Sequence, residues 1–265
     1  MTRPTPLHER IASFKEAVRA QALRDFPWRR DTDPWGVLVS EFMLQQTQTE
    51  RVIPYWERWM RKWSAPEALA QASLTDALGA WSGLGYNKRG RYVWECARII
   101  TGDYGGAVPD TPEALDDLPG IGAYSAGAIA CFAYNYPSVF IETNIRAGAL
   151  HFFFQEKTEK EPVRDGELLP LLSAAMDHEN PRAWYWALMD YGAAVKKALG
   201  NPNRKSAHYT RQSPFEGSFR QRRGAVLKAL VSGGPGSHQE LCQRAGITEE
   251  ELLQVLESLK KDNLL

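Results

Sequence analysis

The chain has 265 residues, 43% of them apolar, and equal numbers of basic and acidic side chains, 32 of each. That is enough apolar material for one large or two modest cores, while no unbroken apolar stretch reaches the roughly 18 residues of a membrane span and residues 1–10 lack signal-peptide character. Cys96, Cys131 and Cys242 are odd in number and far apart, which excludes a disulfide framework and suits a reducing cytoplasm.

Leu7, Ile11, Phe14, Val18 and Ala22 recur at helical spacing and predict an amphipathic helix over 7–24, broken by Phe26-Pro27-Trp28-Arg29-Arg30. Pro34-Trp35 leads into a second helix, Gly36 to about Trp63, which Pro54 should bend or divide. A helix over 66–81 and a loop, Gly83-Leu84-Gly85-Tyr86-Asn87, come next. The helix over 88–104 carries its basic residues in its first two turns. Thr111 can cap a short helix that starts at Pro112, where a missing N–H loses nothing. Leu118-Pro119-Gly120-Ile121-Gly122 then turns tightly into an Ala/Gly-rich helix from Ala123. Helices follow over 144–154, 168–176 and 181–197, with an acidic loop around 156–167. No alternating apolar run argues for a sheet, so the class is all-α.

Residues 198–218 read as a linker. The tail has three short helices: 219–231, one capped by Ser237 after the break Ser232-Gly233-Gly234-Pro235-Gly236, and one opened by Thr248 with Glu251 as a capping box. This punctuation predicts a helix-turn-helix or winged-helix-like module. Its third helix begins TEEELLQ, acidic where a DNA-reading helix would meet the groove, which favours a packing or partner module.

Zero net charge by itself argues against nucleic acid, but the distribution does not. Lys196 to Lys228 holds nine Lys/Arg and one acid, Glu216; Lys88-Arg89-Arg91 follows the 83–87 loop; Asp103 to Asp117 holds five acids and no base. A local basic stripe binds phosphates on a neutral protein, although such a run also suits a plain solvated surface. Two stretches carry candidate chemistry. After the LPGIG turn, the amides of Gly120, Gly122 and Ala123 would point outward at a helix N-terminus, a ready phosphate site; an ordinary interhelical turn fits the pentapeptide equally well. In Ser40-Glu41-Phe42-Met43-Leu44-Gln45-Gln46-Thr47-Gln48, helical spacing puts Glu41, Leu44, Gln45 and Gln48 on one face. Apolar neighbours suggest a partly buried Glu41, whose carboxyl would hold a proton at neutral pH, beside amides that can read a base edge.

FPWRR (26–30), SEFMLQQTQ (40–48), WSGLGYNKR (81–89), LPGIGAYSAGAI (118–129) and ALMDYGA (187–193), in this order, resemble the MutY-type adenine DNA glycosylases of the helix-hairpin-helix superfamily. The likeness covers roughly 7–197. It implies a monofunctional base excision repair enzyme that hydrolyses the N-glycosidic bond of an adenine flipped out of a mispair with guanine or oxidised guanine. The resemblance implies that Glu41 protonates the base, that Tyr124 supports the cationic sugar, and that Glu142, followed by Asn144, stabilises the oxocarbenium-like transition state. Tyr124 stands where bifunctional relatives have a Schiff-base lysine. Trp28 and Arg29 match residues lining the adenine pocket, and Gln46, Thr47 and Tyr86, with Leu44 nearby, match those that fill the stack and contact the opposite base. Lys88 and Arg89, with the hairpin amides, are expected at phosphates.

Three departures stand out. The family's second acid is Asp and here is Glu142; its separate C-terminal domain for oxidised guanine is replaced by a short helical tail; and its four cluster-holding cysteines after ALMDYGA are absent, with no Cys between Leu188 and Ser218. The residues present do not fit an iron–sulfur cluster, so the expectation is no cofactor and no metal. Expected domains are a six-helix lobe over 28–136, a second lobe of 1–27 plus 137–217, and the module 218–265. The expected partner is double-stranded DNA with a mispaired or damaged base, with no membrane, a possible protein partner for the tail, and a monomer in a bacterial-type cytoplasm. Rival readings are a glycosylase for uracil, thymine or hypoxanthine, and a catalytically weak DNA-structure binder.

Overall fold

The computed structural model describes residues 5–211, 214–234 and 236–265; the readings that fall on residues 1–4, on 212–213 of the expected linker and on Pro235 lie outside them. Among these residues there are fifteen α-helices and one isolated bridge, Val163 to Ser206. In chain order the helices are α1 (Leu7–Arg19), α2 (Pro27–Arg30), α3 (Pro34–Leu44), α4 (Thr49–Lys62), α5 (Pro66–Ala70), α6 (Leu74–Trp81), α7 (Lys88–Asp103) and α8 (Pro112–Asp116). Then come α9 (Ala123–Tyr134), α10 (Thr143–Phe153), α11 (Asp165–Ala175), α12 (Pro181–Leu199), α13 (Phe219–Gly233), α14 (His238–Ala245) and α15 (Glu249–Lys261). No helix among the described residues is long and apolar enough to cross a membrane.

The all-α class therefore holds, with local corrections. The helix expected over 36–63 is two, broken at Gln45–Gln48 and not at Pro54, which sits inside α4. The helix expected over 66–81 is also two, because Ser73 accepts the Asp76 amide at 3.0 Å and starts α6 afresh. The first helix stops at Arg19, and α10 starts one residue early because Glu142 caps it.

The helices gather into two compact units. One holds residues up to 30, 110–116 and 122–211; the other holds 31–109, 117–121 and the tail to 265. The division expected from the sequence differs: it placed 123–134 in the lobe with 31–109 and set the tail apart as its own module.

In the first unit the most extensive helix pair is α10 with α12. Gly192 makes it possible, since a Cβ there would collide with the Asn144 carbonyl oxygen. Phe14 of α1 closes the same core, its ring centroid 4.8 Å from Phe153 and 6.2 Å from Trp184. In the second unit Trp59 meets Trp63 at 4.7 Å and Trp81 at 5.6 Å, and the Trp35 indole donates to the Trp63 carbonyl at 3.0 Å. Paired aromatics add about 0.5–1.5 kcal/mol each beyond area burial. The tail belongs to this unit: Leu78 of α6 shares one core with Val226, Leu227, Leu241, Leu252, Val255 and Leu259 of α13–α15. That core is built of helices alone, without a strand among the described residues to serve as a wing.

Candidate active site

In the second unit, Glu41 lies on α3 and is 7% exposed, as the apolar flanks suggest. The helix ends at the half-buried Leu44, and Gln45 leaves the helical region. Gln46 then adopts φ 53°, a left-handed conformation that costs a residue with a Cβ. Gln45 and Gln48 are thus off the helix face where spacing had put them.

The agent of the break is Arg89. Expected at DNA phosphates, it is instead 6% exposed. Its guanidinium donates to the carbonyls of Phe42 (2.7 Å), Met43 (3.1 Å), Gln45 (2.5 Å) and Gly85 (3.1 Å), and to the Thr47 hydroxyl (3.1 Å). A cation among the terminal carbonyls of α3 also satisfies its dipole. Burial lowers the guanidinium pKa to about 10. Arg89 therefore fixes the shape of the 45–47 loop and offers nothing to a phosphate.

Lys88 keeps solvent access, with Nζ 3.4 Å from Asp262 of the tail; Tyr92 first, then Asp262, raise its pKa. Tyr86, at φ 48° and half exposed, accepts from Arg220 of α13 at 2.7 Å. Gly120 has φ 75°, and a Cβ there would strike the Tyr92 ring, so the LPGIG turn requires glycine at this position.

In the first unit, Gly122 is the N-cap of α9, with no side-chain cap bond and open space where a Cβ would stand. Tyr124 is half-buried one residue into the helix, its ring 5.8 Å from Phe140 at 71°. Phe140 in turn stacks on Tyr185 at 4.1 Å. Glu142 caps α10: one carboxylate oxygen accepts the amides of Asn144 at 2.6 Å and Ile145 at 2.8 Å. The residue is half-buried and its carboxyl enclosed. Burial raises the carboxyl pKa above its ordinary value, against the pull of the two amides, Lys196 and Arg146. Lys196 donates to the Asn144 side chain at 3.1 Å.

The segment after α12 is held by ordinary side chains. Asn203, 4% exposed, donates to the Thr143 carbonyl at 2.9 Å, and Lys205 donates to the Gln155 carbonyl at 3.0 Å. Lys205 and Lys196, both expected on a DNA-binding stripe, are thus engaged within the protein. Among the described residues none of Cys96, Cys131 and Cys242 is in a disulfide.

Trp28 of α2 is buried and stacks on Phe26 at 5.4 Å. Arg29, expected at the base, is buried against Asp190, donating at 2.7 and 3.2 Å, and to the Arg24 carbonyl at 3.1 Å. Asp190, fully enclosed in α12, also accepts from the Arg24 backbone at 2.8 Å and side chain at 2.7 Å. Arg29 braces α2 on α12. Sequence reasoning passed over Asp190, whose signal was a lone acid in the apolar block ALMDYGA.

The class these elements define is an all-α protein with a tight glycine turn before α9, a buried acid, Glu41, on α3, and an acid, Glu142, capping α10. The family profile described as "HhH-GPD superfamily base excision DNA repair protein" matches residues 39–170. A protein named adenine DNA glycosylase from Mycolicibacterium smegmatis is 36% identical over 226 residues, 79% of this chain and 76% of the relative. Another of that name from Mycobacterium tuberculosis is 43% identical over 176 residues, 65% of this chain. This chain covers 57% of that relative's length. A solved structure described as a thermostable thymine-DNA glycosylase shares the fold, with TM-score 0.62 at 23% identity over 76% of this chain and 92% of its own. The chain belongs to the adenine DNA glycosylase family of the HhH-GPD superfamily.

Proposed function

We propose that this protein is a monofunctional DNA N-glycosylase of base excision repair that releases adenine from a mispair with guanine or oxidised guanine, acting on double-stranded DNA. The observation that carries the reading is the buried Glu41, set immediately before a glutamine-rich loop that Arg89 holds in one shape, in a chain matching adenine DNA glycosylases along 79% of its length. Glu41 gives its proton to a ring nitrogen of the flipped-out adenine, so the C1′–N bond breaks with a neutral leaving group. Glu142, ionised, balances positive charge on the sugar, with Asn144 two residues on and Tyr124 of α9 supporting the same cation. Water supplies hydroxide to the sugar, and its proton restores Glu41. The amides from Gly122 onward, with Gly120 in the preceding turn, take a phosphate.

The test is a panel of duplexes, each with one mispair or lesion, scored for abasic sites by alkaline cleavage. Adenine release is the expected result; release of uracil, thymine or hypoxanthine alone would reassign the substrate, and binding without release would leave a DNA-structure binder. In the same assay Glu41→Gln should slow release by about a hundredfold or more while duplex affinity stays within about threefold. Wild-type rates in that variant would remove Glu41 as the acid.

A further inference from the structure

The first unit holds a charge that the chemistry above leaves without a role. Lys196 lies in the last turn of α12, half-buried, and its ammonium donates to Asn144 Oδ1 at 3.1 Å. Helical spacing sets up this contact. Gly192, one turn earlier on the same face, lets the α12 backbone lie against the Asn144 carbonyl, and Lys196 then reaches the side chain of that same residue. An ammonium only donates, so the bond also decides how the amide is turned. The Asn144 oxygen faces the ammonium, and its N–H donors face away from it.

The charge matters as much as the bond. Glu142 caps the same helix, α10, with its carboxyl enclosed. Burial raises that carboxyl, and against burial act the Asn144 and Ile145 amides, then Lys196, then Arg146. The two cations differ in what else they hold. Arg146, on α10 itself, donates twice to Asp165 of α11, at 2.8 and 2.7 Å, and holds that carboxyl below its ordinary value. His208 stands 3.9 Å from the same Asp165. The segment 202–205 brings the neutral Asn203 to Thr143, while its Lys205 reaches the opposite end of α10, at Gln155. Tyr191 of α12 lies against Gly148, further along the helix. Of the cations near the start of α10, Lys196 is the one with no ion-pair partner among the described residues.

We propose that Lys196 is a positioning residue of the glycosylase site, holding Asn144 in one orientation and supplying the unbalanced positive charge beside the Glu142 carboxylate. The proposal rests on the glycosylase reading above, in which Glu142 works in its ionised form. It takes Lys196 out of the basic stripe expected on DNA and gives it a task inside the protein. The sign is fixed by elementary electrostatics: a cation beside an enclosed carboxyl favours the charged form, and its removal favours the proton.

The experiment compares full-length wild type with Lys196→Met, which removes the charge at similar length, and Lys196→Arg, which keeps it, with thermal melts to verify folding. Single-turnover release from an adenine–guanine duplex is followed from about pH 5 to pH 8. Lys196→Met should move the acid limb up by about one pH unit, the lower end of what a neighbouring charge does to a carboxyl. Its deficit should be about tenfold in the acid and shrink as pH rises, because the carboxylate is regained. Lys196→Arg should keep the wild-type limb. An equal deficit at every pH would make Lys196 structural only, and a limb displaced equally in both variants would exclude its charge; either overturns the proposal, as does a Lys196→Met profile identical to wild type. Duplex affinity by fluorescence anisotropy should stay within about threefold, and a salt slope flattened by about one would put Lys196 on a phosphate instead. If wild type releases no base, the glycosylase reading fails, and the charge is still tested without activity, by NMR of the free protein labelled at its glutamate carboxyl carbons. The Glu142 resonance, identified by its absence from Glu142→Gln, should titrate about one pH unit higher in Lys196→Met than in wild type, and an unchanged midpoint overturns the proposal.

Discussion

Glu142 has two jobs that one pair of variants can separate. Its carboxylate caps α10 through two amides, at 2.6 and 2.8 Å, and in the proposed chemistry it balances charge on the sugar. Glu142→Ala leaves both amides without a partner. Losing an N-cap costs about 0.5–2 kcal/mol, and the charged acceptor puts this one at the upper end. Burial of the carboxyl works the other way, because removing a group that burial disfavours returns part of that loss. The net should be about 1–2 kcal/mol. Glu142→Gln keeps an acceptor oxygen at the same reach and should cost less than about 1 kcal/mol. A neutral amide cannot balance a cation, so its excision rate should fall about a hundredfold or more, as far as that of the Ala variant. The assay pairs single-turnover base release with urea denaturation. A third readout is pH. The folded carboxyl pKa is raised above 4.5 by burial. The ionised form is therefore disfavoured in the folded state relative to the unfolded, a penalty present above the folded pKa and gone below 4.5. Catalysis by the carboxylate should fade as pH drops through a value above 4.5, and the residual rate of Glu142→Gln should lack that limb. Wild-type rates in Glu142→Gln, or an acid limb that persists in it, would reduce Glu142 to a cap.

Three further outcomes follow from the buried charges and the hairpin. Asp190→Asn leaves Arg24 and Arg29 without their carboxylate and should destabilise by about 3–5 kcal/mol, a drop in melting temperature of roughly 10 °C; a change under about 2 °C would refute the bracing role. Arg89→Met removes the donor shared by the carbonyls of Phe42, Met43, Gln45 and Gly85. It should cost about 2–4 kcal/mol in urea and also weaken duplex binding, whereas unchanged affinity would mean that the 45–47 loop keeps its shape unaided. Borohydride should trap no protein–DNA adduct, because Tyr124 offers no amine; a trapped band abolished by mutating Lys88 would overturn the monofunctional reading.

How much of this was legible in the sequence depends on whether a residue's partner is near in the chain. Thr111, Ser237 and Thr248 each announce a helix start, because the bond they make is three residues on, whereas the same bond at Ser73 was passed over inside the helix expected over 66–81. Gly120 is legible for the same reason: a turn needs its φ locally. The break at Gln45–Gln48 left no such mark. LQQTQ has neither Gly nor Pro and is helical by propensity, and what ends the helix is a guanidinium reaching carbonyls from 47 residues away. Glu142 as a cap was missed because Glu is not among the residues that usually cap, so the start of α10 was placed at Asn144. Arg29 was placed at the adenine pocket by the resemblance and Arg89 at phosphates by its basic neighbours, and neither reading names the long-range partner that holds the side chain. Arg29 instead pairs with Asp190, 161 positions on.

The same asymmetry governs the segment after α12, which has no cysteine. After α12 the segment must be held near α10, since Thr143 lies beside Glu142 in the cap. The buried Asn203 amide does this with one bond to the Thr143 carbonyl, and the Val163 to Ser206 bridge seals the segment further along, through amides at 2.8 and 2.9 Å. An amide hydrogen bond contributes roughly 1 kcal/mol net, but an orphaned buried partner costs more, so the arrangement is directional rather than strong. It fixes where the segment lies without adding much to stability. The sequence shows that four thiolates are missing. That Asn203 ties this segment to Thr143, 60 residues before it, follows only from the packing of the fold.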